Sequence, residues 1–566
     1  MTLSVANALP KTLIRGTQNS AQHIIKAHSA NELFFAVVGH VGSGTSTIVK
    51  ALERILNGDA GRPLPGGKPY QVKVLKARDA IVNWAENAGH LANGLKAGKV
   101  EQVIQLQDLG DAMREQDHSA VARSLINSIR LARAELKGEP TSNGVVQPDG
   151  SPRAYIIDAL RHPAEAHLLR SLYRNAFALI GVVCNNETMR KERLREKFEG
   201  KTSDVSITDI MTRDSKDLDP EKKNGQRVMD TFHLADYFID NSENRVIPKE
   251  LEKRPLPNSN WTVNEQLLRL VKIITHESVE RPTTSETAMH AAHGAQMRSA
   301  CLSRQVGAAL IDGNGNLIST GTNEVPRAGG GVYSQEDHSR SHEDFRCAYR
   351  DTPECSNTKE QETIIGDLID TVAKTEALDA ETRSLLQKAL SEKGARKKLH
   401  QEFRRSRVGG LLEFSRAVHA EMDALLSAAR VGTSTVNCRL FVTTYPCHYC
   451  ARHIVSAGVT EVQYIEPYPK SQALALHGDS IATSLMKQSG SGVNGSKVLF
   501  RPFTGVAPRL YQRAFLKDRE LKRQDGGFEM GEPDWGTAWD VSRFSYADLE
   551  VKLRADAPQE PEVRRG

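Results

Sequence analysis

The sequence predicts an α/β protein of two sheet domains. Two patterns and one break point to it. In the first half, short apolar runs alternate with helical stretches, which implies a parallel sheet with helices on its faces. In the second half a hairpin signal precedes a strand–helix–strand unit. Between them, residues 241–262 collect Asn, Ser, Pro and charge without an apolar period, as a linker does. The expected domains are 1–250 and 262–517, with an insertion at about 325–415 and a C-terminal extension over 518–566.

The chain opens with a helical stretch before Leu33–Val38, an apolar run rich in aromatic and β-branched residues that reads as a buried strand. A glycine-rich loop follows, then a helix over Thr47–Glu53. Ala154–Asp158 and Phe177–Cys184 read as further buried strands, with helical spacing over Pro163–Asn175 between them. In the second half, Val306–Ile311 and Leu317–Gly321 flank the turn Asp312-Gly313-Asn314-Gly315-Asn316. The insertion is polar and basic, with helical stretches. Arg439–Thr444 and Val459–Ile465 are strands separated by a helix-length segment. The tail Asp556–Gly566 is expected to fray.

Composition narrows the function. The chain has 566 residues, 39% apolar and 26% charged, as a globular protein does. No apolar run approaches the roughly 18 residues that span a bilayer. The N-terminus lacks a charged segment followed by a long apolar core, so no signal peptide is expected and the location is read as cytoplasmic. Seven cysteines are too few, and odd in number, for a disulfide framework. The 75 basic and 70 acidic residues leave a net charge of +5, short of the concentrated positive charge of a duplex-binding surface.

The chemistry is concentrated in His419-Ala420-Glu421 and Pro446-Cys447-His448-Tyr449-Cys450. Zinc takes sulfur and nitrogen ligands tetrahedrally, and a catalytic site keeps one position open. His419, Cys447 and Cys450 supply three ligands. Pro446 is expected to open a helix that places both cysteines on its first turn. Glu421, two residues from a ligand, is placed to act as general acid/base rather than to bind metal. The pattern is the H-x-E…P-C-x-x-C signature of zinc deaminases. A lone C-x-x-C is commonly a structural or redox pair, but a structural site needs four protein ligands and a redox pair does not need His419 and Glu421. His448 and His453 read as surface or pocket residues.

At these residues the sequence resembles the zinc-dependent cytidine and deoxycytidylate deaminase family, over roughly residues 284–515. Arg298–Ala308 is similar to the family's helix-to-strand segment. Gly321-Thr322-Asn323 resembles its G-Y-N turn, which implies a substrate-holding role for Asn323, though threonine stands where the family has tyrosine. His338, His342, Cys347 and Cys355 permit a second, structural zinc of the kind the family sometimes carries in this region.

The loop Gly39–Ser46 matches the phosphate-loop pattern G-x-x-x-x-G-K-[ST] except that Thr45 replaces lysine. Gly39, Gly42, Gly44 and Ser46, with Asp158 after a later strand, could hold a nucleotide and Mg2+. Arg190 and Arg193 could meet its phosphates. The missing charge makes phosphoryl transfer doubtful. The expected fold is therefore a P-loop, nucleotide-kinase-like parallel-sheet domain followed by a cytidine-deaminase-like αβα sandwich. Together with Ile156–Pro163 and Glu466–Ser471, that arrangement resembles the bacterial anti-phage dCTP deaminases. The resemblance implies conversion of dCTP to dUTP and of dCMP to dUMP, depleting cytosine deoxynucleotides during infection. It also implies free deoxycytidine nucleotides as partners, a regulatory small noncoding RNA, and a homo-oligomer. The alternatives are a housekeeping dCMP deaminase, or a polynucleotide deaminase suggested by Arg396-Lys397-Lys398 and Arg404-Arg405-Ser406-Arg407. A polynucleotide channel would want aromatic platforms, and aromatics are only 5% of the chain.

Overall fold

A computed structural model describes residues 30–551, apart from 59–68, 92–93, 97, 141–143, 186, 200–202, 216–222, 248–255, 276, 342–343, 469–470, 484–496, 518–520, 529–546 and 548–549. The helical opening and the tail Asp556–Gly566 lie outside these residues. The chain forms two compact units, one of residues 1–281 with 504–566, the other of residues 282–503. Among the described residues no helix is long and apolar enough to cross a membrane.

The sheet of the first unit runs in the order Gly505–Val506, Tyr237–Asp240, Phe177–Val183, Glu32–Val38, Arg153–Asp158, Gln71–Lys76. Its five longer strands are parallel, and Gly505–Val506 pairs antiparallel at the edge. All of Glu32–Val38 is buried, as a central strand covered on both faces requires. Leu33, Phe35 and Val37 join a core with Ile48 and Leu52 of the helix Thr45–Leu56. The alternate residue Phe34 stacks on Tyr155 and Tyr173.

The division differs from the expected one at both ends. The helix Val263–Thr275 buries Val263, Leu267, Leu270 and Val271 in the first unit's core, so this unit continues past the expected start at 262. Val506, Leu510 and Phe515 return to the same core, taking residues the sequence assigned to the second domain. Glu550, within the expected extension, is buried 2.7 Å from Arg133, which also pairs with buried Glu32. The expected linker is partly structured: Val246–Ile247 pairs with Leu256–Pro257.

In the second unit the sheet order is Ile481–Ala482, Val498–Pro502, Glu461–Glu466, Arg439–Thr444, Gly307–Ile311, Leu317–Thr322. The predicted hairpin forms, antiparallel, and Gly307–Ile311 also pairs antiparallel with Arg439–Thr444. The remaining pairs are parallel. Two glycines bring helices onto the hairpin. A Cβ on Gly307 would lie 1.9 Å from the Ala292 carbonyl of the helix Thr284–Gln296. One on Gly321 would lie 2.1 Å from the Ala420 carbonyl of the helix Ala420–Arg430. Gly321 pairs with Ala308, the neighbour of Gly307. Successive residues point to opposite faces, so the two helices cover opposite faces of the sheet. Within the insertion the helices Ser356–Lys374, Ala380–Ser391 and Lys393–Arg405 pack around Ile365, Ile369 and Leu390, after a short helix over Gln335–Ser341.

Candidate active site

The site is built where two helices begin. Val418 forms an antiparallel bridge with Glu324, which fixes the backbone leading into His419. His419 is the extended N-cap of Ala420–Arg430, and Glu421 is the helix's second residue. On the other side, the strand Arg439–Thr444 leads through Tyr445 and Pro446 into the helix His448–Ser456. Here the structure differs by one step from the sequence reading. Cys447, not Pro446, sits at the helix boundary as N-cap, and Cys450 occupies the first turn. Both cysteines lie at a helix N-terminus, as anticipated, but hydrogen bonding with Cys447 and burial push the Cys450 thiol up.

The three predicted ligands meet. His419 Nδ1 lies 3.3 Å from Cys447 Sγ and 3.4 Å from Cys450 Sγ. Around a tetrahedral zinc, ligand bonds of about 2.0–2.3 Å set neighbouring N and S atoms about 3.5 Å apart, so the donor set fits that ion. Among the described residues this is the group of His, Cys, Asp or Glu side chains gathered closely enough to hold a metal. Its electrostatics agree. Hydrogen bonding with Cys450 and with His419 pulls the Cys447 thiol down to about 4. Burial opposes charge on His419, yet Cys447 and Glu421 push it up to about 9. Burial, partly offset by His419, pushes the Glu421 carboxyl up to about 7.

A cavity of about 380 Å³ opens above these groups. Its floor includes His419, Glu421 and Cys447, and its walls include Val306, Asn323, Tyr445 and Tyr468. The expected substrate residue Asn323 is among them, but its amide is already engaged. Its Oδ1 accepts from the Val306 N–H at 2.6 Å, and its Nδ2 donates to the Arg304 carbonyl at 2.6 Å. Asn323 thus also shapes the segment before the hairpin. His453 Nδ1 lies 2.7 Å from the Tyr449 carbonyl, and neither it nor His448 joins the ligand group.

The second cluster does not assemble from its described members. His338 lies 3.4 Å from Asp344 and against the Tyr349 ring, whereas Cys355 Sγ contacts Ser303 Oγ. His342 is outside the described residues. Cys347 and Cys355 instead line the main cavity with Leu412, Ser415 and Arg416. The insertion therefore supplies a wall of the pocket, a role the sequence reading missed. Half of the insertion's basic run is paired with carboxylates. Arg396 pairs with Asp370, Arg405 with Glu402, and Arg404 and His400 with Glu362.

In the first unit the glycine-rich loop lies between the strand Glu32–Val38 and the helix Thr45–Leu56. Gly42 and Gly44 adopt φ of 82° and 88°, conformations that favour glycine. Ser46 Oγ donates to Asp158 Oδ2 at 2.8 Å. The arginines expected to face a phosphate serve the loop's own carbonyls. Arg190 Nε donates to Val41 at 3.1 Å, and Arg193 to Ser43 at 3.4 Å and Asn241 at 3.1 Å. The Val41 N–H donates to the buried Asp214, which is held by Arg161.

The closely held His/Cys/Cys group could hold a metal ion, and a buried carboxyl, Glu421, lies beside it. Residues 282–466 match the family model described as "Cytidine and deoxycytidylate deaminase zinc-binding region". The matched stretch makes up most of the second unit, which is thus similar to that family, and the model's zinc-binding region and the donor set both point to zinc. The chain is 41% identical over 54 residues to ComE operon protein 2 of Bacillus subtilis (strain 168), covering 10% of this chain but only 29% of that protein. It is 29% identical over 188 residues to the deoxycytidylate deaminase of Enterobacteria phage T2, covering 33% of this chain and 82% of that one. Among solved structures it resembles the dCMP deaminase from the cyanophage S-TIM5 in apo form. That match has 17% identity and a TM-score of 0.20, and covers 40% of this chain and all of the other.

Proposed function

We propose that the protein hydrolyses the exocyclic amine of free cytosine deoxynucleotides, converting dCTP to dUTP and dCMP to dUMP, with zinc as cofactor. The observation that carries this reading is Glu421, buried beside the His419/Cys447/Cys450 group and lining the same cavity. Zinc held by those three residues supplies Lewis-acid activation of water. Glu421 accepts a proton from the attacking water and delivers it to N3 of cytosine. It then carries the water's second proton to the departing amine. The C4–N bond breaks, ammonia leaves, and C4 keeps the oxygen as the uracil carbonyl. The raised carboxyl suits a group that must both take and give a proton. The carboxylate pairing of half the insertion's basic run favours a small nucleotide over a polynucleotide.

The proposal extends to the first unit. Ser46 and Asp158, 2.8 Å apart beneath a loop with two left-handed glycines, would hold Mg2+ and the phosphates of a regulatory nucleotide. With Thr45 in place of lysine, this site acts as a sensor rather than a transferase. The whole-chain resemblance supports a defensive role in which an infected cell loses its dCTP, with a small RNA restraining the enzyme beforehand.

The test is Glu421→Gln. We expect it to retain zinc by metal analysis while uracil-nucleotide formation falls by at least about 10²–10⁴. Unchanged turnover would remove Glu421 from the reaction and overturn this reading.

A further inference from the structure

The cavity above the candidate zinc group carries two guanidinium groups, Arg304 and Arg416, and one carboxylate, Glu421. The two arginines are not equivalent. Arg304 lies 3.2 Å from Glu466 Oε1, so its charge is compensated within the protein. Arg416 is half-buried and donates to the Phe345 carbonyl at 3.0 Å, and among the described residues no carboxylate forms an ion pair with it. A partly exposed guanidinium that lines a cavity without a counter-charge is available to an anionic ligand. Arg416 stands three residues before His419, so their Cα atoms are at most about 11 Å apart. A nucleotide with its base over Glu421 has its phosphate end within reach of such a residue. Ser356 lines the same wall and offers a further donor, whereas the Asn357 amide already donates to the Leu411 carbonyl and accepts from the Phe414 N–H.

We infer that Arg416, immediately after the insertion, is the specificity residue that reads the 5′-phosphate of the substrate and favours nucleotides over nucleosides. The inference rests on the proposed deamination of cytosine nucleotides. It assigns Arg416 no part in the chemical step. Its guanidinium holds the phosphate through charge-assisted hydrogen bonds, for which a planar fork suits better than an ammonium.

The experiment compares kcat/KM for deoxycytidine, dCMP and dCTP in wild type, Arg416→Ala and Arg416→Lys, with zinc content measured in each. Loss of a charged hydrogen-bond partner costs about 1.5–3 kcal/mol. The preference of Arg416→Ala for dCMP and dCTP over deoxycytidine should therefore fall about 10- to 100-fold, mainly through KM. Arg416→Lys should restore part of it. A nucleotide-to-nucleoside ratio equal to wild type would overturn the inference and leave the proposed function standing. An equal loss on all three substrates would do the same, marking Arg416 as structural. Should the alanine variant lose zinc, Arg416→Lys and Arg416→Gln carry the same ratio test. A wild-type enzyme that deaminates none of the three would overturn the proposed function, and this inference with it.

Discussion

His162 shows how a single residue's surroundings reach a measurable property. It is 2% exposed, caps the helix Pro163–Tyr173 by accepting from the Ala164 N–H, and faces Glu165, Arg114 and Arg227. Burial, against the pull of Glu165, lowers its pKa to about 4 from 6.5. The folded state thus keeps it neutral where the unfolded chain would bind a proton. Its contribution to stability is complete above about pH 6.5 and is lost as pH falls towards 4, by about 2 kcal/mol at pH 5. The described tryptophans, Trp84 and Trp261, lie in the first unit and residues 282–503 contain none, so tryptophan fluorescence carries no signal from the second unit. Urea unfolding read this way should show the loss between pH 7 and pH 5. His162→Asn, which preserves a capping side chain, should remove about 2 kcal/mol of that difference; an unchanged pH dependence would contradict the assignment.

At the scale of elements, the strands and the chemical motifs were legible because their signals are local. Leu33–Val38 is a continuous apolar run between loops, and the Asp312–Asn316 turn announces its hairpin. What escaped depends on distant partners. The helix Val263–Thr275 has an apolar face that would suit either sheet, and nothing local says that it joins the first. Nor does the return of Val506–Phe515 to that core appear in periodicity. The insertion reads as polar helices, and only tertiary structure reveals Arg416 in the pocket wall. Two glycines separate the tasks of the two sites. Gly321→Ala would press on the Ala420 carbonyl and the Ala424 N–H, displacing the helix that carries His419 and Glu421. We expect about 1–3 kcal/mol of destabilisation and loss of zinc. Gly44→Ala would strain a φ of +88° and crowd Asn241 Nδ2 at 2.3 Å. Calorimetry with Mg2+ and nucleoside triphosphates should show binding lost, while metal analysis finds zinc unchanged. Full zinc in Gly321→Ala, or triphosphate binding by Gly44→Ala equal to wild type, would contradict the respective site.

Taken whole, the chain joins a unit that matches a deaminase family model to a parallel-sheet unit with its own core and its own candidate phosphate loop. The central claim is that the deaminase acts on free cytosine deoxynucleotides. It is tested most directly by incubating the zinc-loaded full chain with dCTP, dCMP, deoxycytidine and a cytosine-containing single-stranded oligonucleotide, and following each by mass spectrometry. The account predicts uracil products and stoichiometric ammonia from dCTP and dCMP, slower conversion of deoxycytidine, and an unchanged oligonucleotide. Conversion confined to the oligonucleotide, or of no substrate at all, would contradict it.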